Sequence, residues 1–291
     1  MQGLGLAMST HGKSGPVQRV VSSGHPQLAV EAAALTRLHE ASARLWNFRD
    51  VSEGLEEILA ASIDLLGADK GNAQLLDGER RMLQIAVQRG FAQDFLDFFR
   101  EVSAEDDSAC GRALRFGERI VIEDVEADPE FAPLRPIARA SGFRAVQSTP
   151  LMGRDGKPLG MLSTHFRSVH RPTEQDLRRL DLYARQAAVF IERTRMEETL
   201  RVRARQQEAI AKLGELALRQ RDLDQLLAHA TATIAETLEI EYSKVLELQP
   251  GGAGLLLRAG VGWQDGLVGK ATVSAGLSSQ AGYTLLSDGP V

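Results

Sequence analysis

Gly160-Met161-Leu162-Ser163-Thr164-His165-Phe166, followed closely by His170-Arg171-Pro172, is the stretch on which the rest of the chain is read. The segment Leu159 to Phe166 is short, rich in apolar and hydroxyl residues and bounded by turn formers, which predicts a strand. Upstream, Arg154-Asp155-Gly156-Lys157-Pro158 reads as a turn and Arg144 to Leu151 as a second strand. Downstream, Pro172 and Thr173 open a helix with Asp176 in its first turn, and Leu177, Leu180, Ala184, Ala187, Ile191 and Thr194 form its seam. A second seam, Met196, Thr199, Arg203, Gln206, Ile210, Leu213 and Ala217, continues it in a different phase. No Gly or Pro lies between Thr173 and Lys212.

Moving toward the N-terminus, Pro129, Pro133 and Pro136 punctuate a loop, and Ile120 to Ile122 is a further strand. Asp107 to Phe116 reads as a helix with Ser108 as its cap, preceded by a short aromatic helix carrying Phe95, Phe98 and Phe99. Gly71 to Leu76 and Met82 to Gln88 form two alternating segments, joined through an Asp77-Gly78 turn. Their alternation places Ala73, Leu75, Leu83, Ile85 and Val87 on one face and Asn72, Gln74, Gln84 and Gln88 on the other. A helix after Asp50 shows Leu55, Ile58, Leu59, Ile63 and Leu66 on one side and stops at Gly67. Leu28, Leu35, Leu38 and Leu45 mark an earlier helical seam.

An internal repeat organises these elements. At a shift of 172, Asp50 falls on Asp222, Leu55 on Leu227, Leu83 on Leu255, Ile85 on Leu257 and Gly90-Phe91 on Gly262-Trp263. At a shift of 171, Val102-Ser103-Ala104 falls on Val273-Ser274-Ala275, Ser108 on Ser279, Gly111 on Gly282 and Leu114 on Leu285. A period this long is a domain duplication rather than a solenoid. Val291 falls opposite Ile120, so the expectation is a second copy lacking the later strands and closing helix, as in a segment of a longer protein.

Composition bounds the function. The 291 residues leave room for about two domains. A net charge of -5 argues against a nucleic-acid surface, and no run reaches the ~18 apolar residues of a membrane span, so the expected location is cytoplasmic. One cysteine, Cys110, excludes an intramolecular disulfide and a multi-cysteine metal site. The arginines between Arg193 and Arg205 are interleaved with Glu192, Glu197 and Glu198, the pattern of a solvated or helix-pairing face.

The layout, together with Ser108-Ala109-Cys110-Gly111-Arg112-Ala113-Leu114, Ile120 to Val125, Arg144 to Leu151 and the opening motif, resembles GAF domains of bacterial signalling proteins, especially those attached to sensor histidine kinases. The resemblance covers about residues 30 to 200, and 207 to 291 in part. It implies an α+β fold: an antiparallel sheet with helices on one face and loops over the other, a long connecting helix, and a second, partial domain. The boundaries expected are a flexible leader at 1–27, a first GAF domain at 28–195, a signalling or coiled-coil helix at 196–220 and a second, incomplete GAF domain at 207–291.

The family's pocket lies under the loops, on the sheet face opposite the helices. The residues expected to line it are Asn72, Gln74, Gln84 and Gln88, with Cys110, and by alternation Gln147, Thr149, Ser163 and His165. Uncharged hydrogen-bonding groups in a shielded cleft suit a small polar or heterocyclic ligand; the other reading is that they satisfy loop backbone or face water. His165 is placed to ligate haem iron or to hydrogen-bond a ligand, and a structural role stands beside both. For Cys110, Gly111 stands where bilin-binding relatives usually carry His, and no resolving thiol exists for a reductase, so a packed small residue is the alternative. Neither a catalytic residue nor a metal site is expected, and the cofactor is unknown. The functional expectation is a non-catalytic sensory module, a homodimer through the helix 173–220, that binds a small ligand or partner and relays its state to a downstream output domain such as a kinase. A ligand-free dimerisation spacer and a thiol-dependent enzyme are the competing expectations.

Overall fold

The computed structural model of the protein describes residues 36, 43–45, 47–219, 222–252 and 254–287. They fall into two compact units divided between Ile191 and Glu192. The expected leader, and the seam from Leu28 to Trp46 apart from Leu45, lie outside the described residues.

The first unit starts with α1 (Val51–Leu66). The Asp50 carboxylate accepts hydrogen bonds from the Ser52 and Glu53 amides at its N-terminus, and Gly67 ends it at φ 61°. Six strands follow: β1 (Lys70–Asp77), β2 (Met82–Arg89), β3 (Glu101–Val102), β4 (Ile120–Ile122), β5 (Ala145–Met152) and β6 (Pro158–Phe166). They form one antiparallel sheet in the order β3-β2-β1-β6-β5-β4. Short helices α2 (Gln93–Phe98), α3 (Ala109–Phe116) and α4 (Arg135–Ser141) are carried by the connections, and α5 (Glu174–Arg219) closes the unit. Two apolar cores result. On one face of the sheet Leu55 and Leu59 of α1 and Leu180 and Ile191 of α5 pack against Ala73, Leu151 and Leu162. On the other, Phe95, Phe99, Val125 and Phe131 from the connections cover Leu83, Val146 and Met161. This is the expected α+β arrangement, with helices on one face and loops over the other.

Three local features differ from the sequence reading. Strand β3 and helix α4 were not anticipated. The prolines that read as loop punctuation include Pro136 in the first turn of α4, where the missing N–H costs nothing. In the β1–β2 turn the left-handed residue is Arg81 at φ 58°, rather than Gly78, while Asp77 Oδ1 accepts from the Glu79 and Arg80 amides. The third difference is a bulge. Ala73 pairs with Val87 but Gln74 pairs with Ile85, leaving Ala86 as the extra residue. The bulge inverts the parity of β2, so Leu83 and Ile85 join the loop-side core while Gln84, opposite Leu75, turns to the other face.

In the second unit elements matching α1, β1, β2, β3 and α3 recur in the same order: α6 (Leu223–Leu238), β7 (Ser243–Leu248), β8 (Gly254–Val261), β9 (Thr272–Ser274) and α7 (Gln280–Leu285), with a sheet ordered β7-β8-β9. Asp222 caps α6 as Asp50 caps α1. A bulge falls between Val245 and Leu246, at the position equivalent to Ala73 and Gln74. Ser279 Oγ accepts from the Gly282 amide as Ser108 Oγ does from Gly111. The duplication is therefore structural in detail. Helix α5 is helical from Glu174 to Arg219, and residues 220–221 after it lie outside the described residues. Among the described residues no helix is long and apolar enough to cross a membrane.

One glycine shows how closely the helical layer packs. Gly54 is buried at the fourth position of α1, and a Cβ built there would lie 2.0 Å from the Phe190 ring of α5. Helix propensity alone favours alanine at such a site by about 1 kcal/mol. Overpacking against an aromatic ring opposes this by about 1–3 kcal/mol. Gly54→Ala is expected to lower the urea midpoint of unfolding, and a raised midpoint would show that Phe190 has room to yield.

Candidate functional site

The loop-covered face of the sheet encloses a small cavity. Its floor is built by three adjacent strands, with Asn72 and Gln74 from β1, Ser148 from β5, and Ser163 and His165 from β6. Registers β1–β6 and β5–β6 bring them together: Asn72 pairs with Ser163, Ser148 also pairs with Ser163, and Val146 pairs with His165. Its roof is aromatic, made by Phe95, Phe99, Phe131 and Phe143, and the start of α3 (Ser108, Ala109 and Cys110) forms a wall. The enclosed volume is about 20 Å³, room for about one water and far below the roughly 300–1,000 Å³ of ordinary ligand pockets.

The floor is buried and incompletely paired. Gln74 is 0% exposed, Asn72 3% and His165 5%. Among the described residues, Asn72 Oδ1, both amide atoms of Gln74 and His165 Nδ1 have no hydrogen-bond partner. Ser148 Oγ and Ser163 Oγ are paired to each other at 2.7 Å. An unpaired buried polar atom costs about 1–3 kcal/mol, and native proteins carry few of them. Four within one cavity mark the place where the chain holds polar groups that its own fold does not use.

Around His165, Phe143, Phe91 and Phe95 stand edge-on with ring centroids 4.7, 4.9 and 5.8 Å away. Burial in this box, and secondarily the Lys70 ammonium, push the imidazole down to about 3. It is therefore neutral at physiological pH. Lys70 is itself engaged: Nζ donates to the Ser141 carbonyl at 2.8 Å and lies 5.4 Å from the Phe91 ring centroid. Cys110 Sγ is 3.3 Å from Ser108 Oγ, and burial raises its pKa, so it stays a thiol. The roof is tied down by Arg112, which pairs with Asp128 at 3.0 Å and Glu130 at 3.1 Å, and by Arg135, which donates to the Val125 and Asp128 carbonyls.

Of the residues expected at the pocket, Asn72, Gln74, Cys110, Ser163 and His165 line the cavity. Four do not. Gln84 faces solvent on the opposite side, where Nε2 donates to Glu101 Oε1, because of the bulge at Ala86. Gln88 is on the loop side but its Oε1 accepts from the Phe91 amide, closing the turn after β2. Gln147 and Thr149 lie on the helix-covered face, since register sends Ser148 to the pocket instead. There they form a hydrogen-bonded chain. Gln147 Nε2 donates to Thr164 Oγ1 at 3.1 Å, Thr149 Oγ1 to Gln147 Oε1 at 2.8 Å, and Arg119 Nε to Thr149 Oγ1 at 2.8 Å. The same Arg119 pairs with Asp181 of α5. Sequence reading missed Ser148 and the roof phenylalanines; the spacing of Phe95 and Phe99 marked a buried face but not what it covers. Among the described residues no group of three or more His, Cys, Asp or Glu side chains gathers as a metal site would require.

With this geometry in view, the comparisons are informative. The family model described as GAF domain matches residues 49–192, and this segment of the chain is a GAF domain. The methyl sulfide methyltransferase-associated sensor of Methanosarcina acetivorans is 26% identical over 128 residues, spanning 44% of this chain and 13% of that protein. The GAF domain of a phosphoenolpyruvate-protein phosphotransferase from Coxiella burnetii superposes with a TM-score of 0.51 at 16% identity, covering 57% of this chain and 96% of that one. A bacteriophytochrome from R. palustris gives a TM-score of 0.56 at 16% identity over 77% of this chain and 48% of that one. At such identities the two solved structures show the fold alone.

The buried imidazole makes a testable contribution to acid stability. Its folded-state pKa near 3 lies below the ordinary value of 6.5, so between these values the unfolded chain takes up a proton that the folded chain refuses. Stability from this group is complete above pH 6.5 and drains away as pH falls toward 3. From pH 7 to pH 5 the loss is about 2 kcal/mol. Urea unfolding across this range should show wild type losing about that much more than His165→Phe; parallel pH profiles would mean that His165 titrates normally in the fold.

Proposed function

We propose that the chain is a sensory or regulatory GAF module, in which a small molecule in the cavity alters the packing of the sheet and α5 passes that change to a downstream signalling output. The observation that carries this reading is the double use of β5 and β6. On one face they present Ser148, Ser163 and His165 to the cavity. At the intervening positions they present Gln147, Thr149 and Thr164, the chain that ends through Arg119 on Asp181 of α5. A shift of either strand at the cavity moves groups bonded, through two side chains, to the helix. A ligand acts by its differential affinity for two such arrangements. That a relative carries the name of a sensor supports the same reading.

Beyond the first core, α5 keeps apolar residues in the open. Val189, Met196 and Ile210 are 40, 66 and 62% exposed and fall on one heptad phase, with Arg203 at the intermediate position and Leu200 beside it. We assign this stripe to pairing with a second copy, so that the working unit is a homodimer through the helix 173–220. The polar step at Arg203 weakens the seam where two helix packings of similar energy are needed. A ligand-free spacer that only dimerises is the second reading, favoured by the small enclosed volume. A thiol enzyme is disfavoured by a half-buried, protonated Cys110 without a second cysteine.

Single cysteines placed in turn from Leu200 to Leu213, in a Cys110→Ser background, test both parts by disulfide crosslinking. A periodic crosslinking pattern is expected, and Arg119→Leu should change its phase or strength. An unchanged pattern in Arg119→Leu would remove the relay and leave the spacer; no crosslinking at any position would remove the dimer.

A further inference from the structure

The cavity floor also points to the class of molecule that fills it, an inference resting on the proposal that the domain binds a ligand there. The four unpartnered atoms are two carbonyl oxygens (Asn72 Oδ1 and Gln74 Oε1), one amide nitrogen (Gln74 Nε2) and one imidazole nitrogen (His165 Nδ1). All belong to side chains that are neutral here. Gln74 is the key group, because its donor and its acceptor are both free on one planar head, on a side chain that is 0% exposed. The shape that completes such a head is a second planar group with donor and acceptor side by side. A carboxamide, or the lactam edge of a heterocycle, has this form. Asn72 Oδ1 is then an acceptor for the second N–H of a primary amide.

Charge is excluded by the surroundings. A buried ion requires a partner of opposite sign, since desolvation otherwise costs more than the site can return. None is on offer. Lys70 is turned to the Ser141 carbonyl and the Phe91 ring. Arg112 is held by Asp128 and Glu130, and Asp106 accepts from the Ser103 amide and hydroxyl. A carboxylate would meet the carbonyl oxygens of Asn72 and Gln74 without a cation, and an ammonium would lie near the Lys70 charge that already acts on His165. The wall carries Cys110 as a neutral thiol and the roof is phenylalanine.

Size narrows the class further. About 20 Å³ holds about one water, so even a head group of few atoms must shift Phe95 or Phe99, which lie in and at the end of the six-residue helix α2. We propose that the cavity selects an uncharged molecule with an amide-type head, hydrogen-bonded to Gln74 and Asn72, with its apolar remainder against the phenylalanine roof.

Propanamide, propanoate and propylammonium have nearly the same shape and carry charges of zero, minus one and plus one, which makes them a direct test on the full chain. The readout is the 15N–1H signal of the Gln74 side-chain amide during titration to about 100 mM, a range matched to millimolar affinities. Propanamide is expected to give a saturable shift, with both ions weaker by at least about tenfold. In Gln74→Leu, a variant whose fold is checked by its backbone spectrum, the saturable shift that propanamide also gives to the side-chain amide of the neighbouring Asn72 should be lost. Equal or tighter saturation by propanoate or propylammonium at the same signal would overturn the uncharged class while leaving the cavity a ligand site. If none of the three moves the signal, both the class and the ligand reading fall.

Discussion

The first unit depends on the register in which β5 lies against β6. Because side chains alternate strictly between the faces of a strand, one register choice assigns every residue of both strands to a face at once. Pairing Ser148 with Ser163 and Val146 with His165 puts those side chains under the loops and delivers Gln147, Thr149 and Thr164 to the helices. A slip of β5 by one residue would turn Ala145 and Leu151 toward the cavity and withdraw them from the core they share with α1 and α5. The apolar residues thus fix the register, and the polar residues on both faces inherit their places from it. Function, on this view, is carried by positions that the core itself leaves free to vary.

Energetically the cavity is a weak point set between two well-packed layers. Four unpaired polar atoms cost several kcal/mol together, a large share of the 5–15 kcal/mol by which domains are stable. The two cores offset that cost. The imidazole adds to it in the same direction, since its burial is tolerated only as the neutral form. Such a concentration of unspent hydrogen-bonding capacity, surrounded by residues in ordinary pairings, distinguishes the floor from the helix-face chain, where Gln147, Thr149 and Thr164 are all bonded.

Much of the fold was legible because the signals were local. Asp50 before a run of periodic leucines and Gly67 after it define α1 without tertiary information, and the repeat located the second set of elements by arithmetic. The parity of the strands was less accessible. In β2 the alternation of Leu83, Ile85 and Val87 looks unbroken, yet the bulge at Ala86 places Leu83 and Ile85 on one face and Val87 on the other. In β5 the run Gln147-Ser148-Thr149 is polar throughout, so composition cannot say which member faces the cavity; only pairing with β6 does. Helix α4 was hidden by prolines that begin a helix as readily as they interrupt one. The roof was hidden for another reason, since Phe131 and Phe143 come from connections whose path no periodicity records.

The duplication serves as an internal control on what the fold requires. The second unit reproduces the cap at Asp222, the bulge at Val245 and Leu246, and the serine that caps α7. At the positions equivalent to Asn72, Gln74 and Cys110 it carries Lys244, Leu246 and Ala281. Helix, bulged hairpin and capped short helix therefore assemble with an apolar residue where the first unit buries an unbonded amide. A leucine in place of Gln74 would satisfy the same backbone and remove two orphaned atoms at once. The buried amide is thus not something the local architecture demands. What it supplies is a hydrogen-bonding head held dry and aimed at a space lined by phenylalanine, and that arrangement is stable only because the register of β1, β5 and β6 was already fixed by the leucines on the other face.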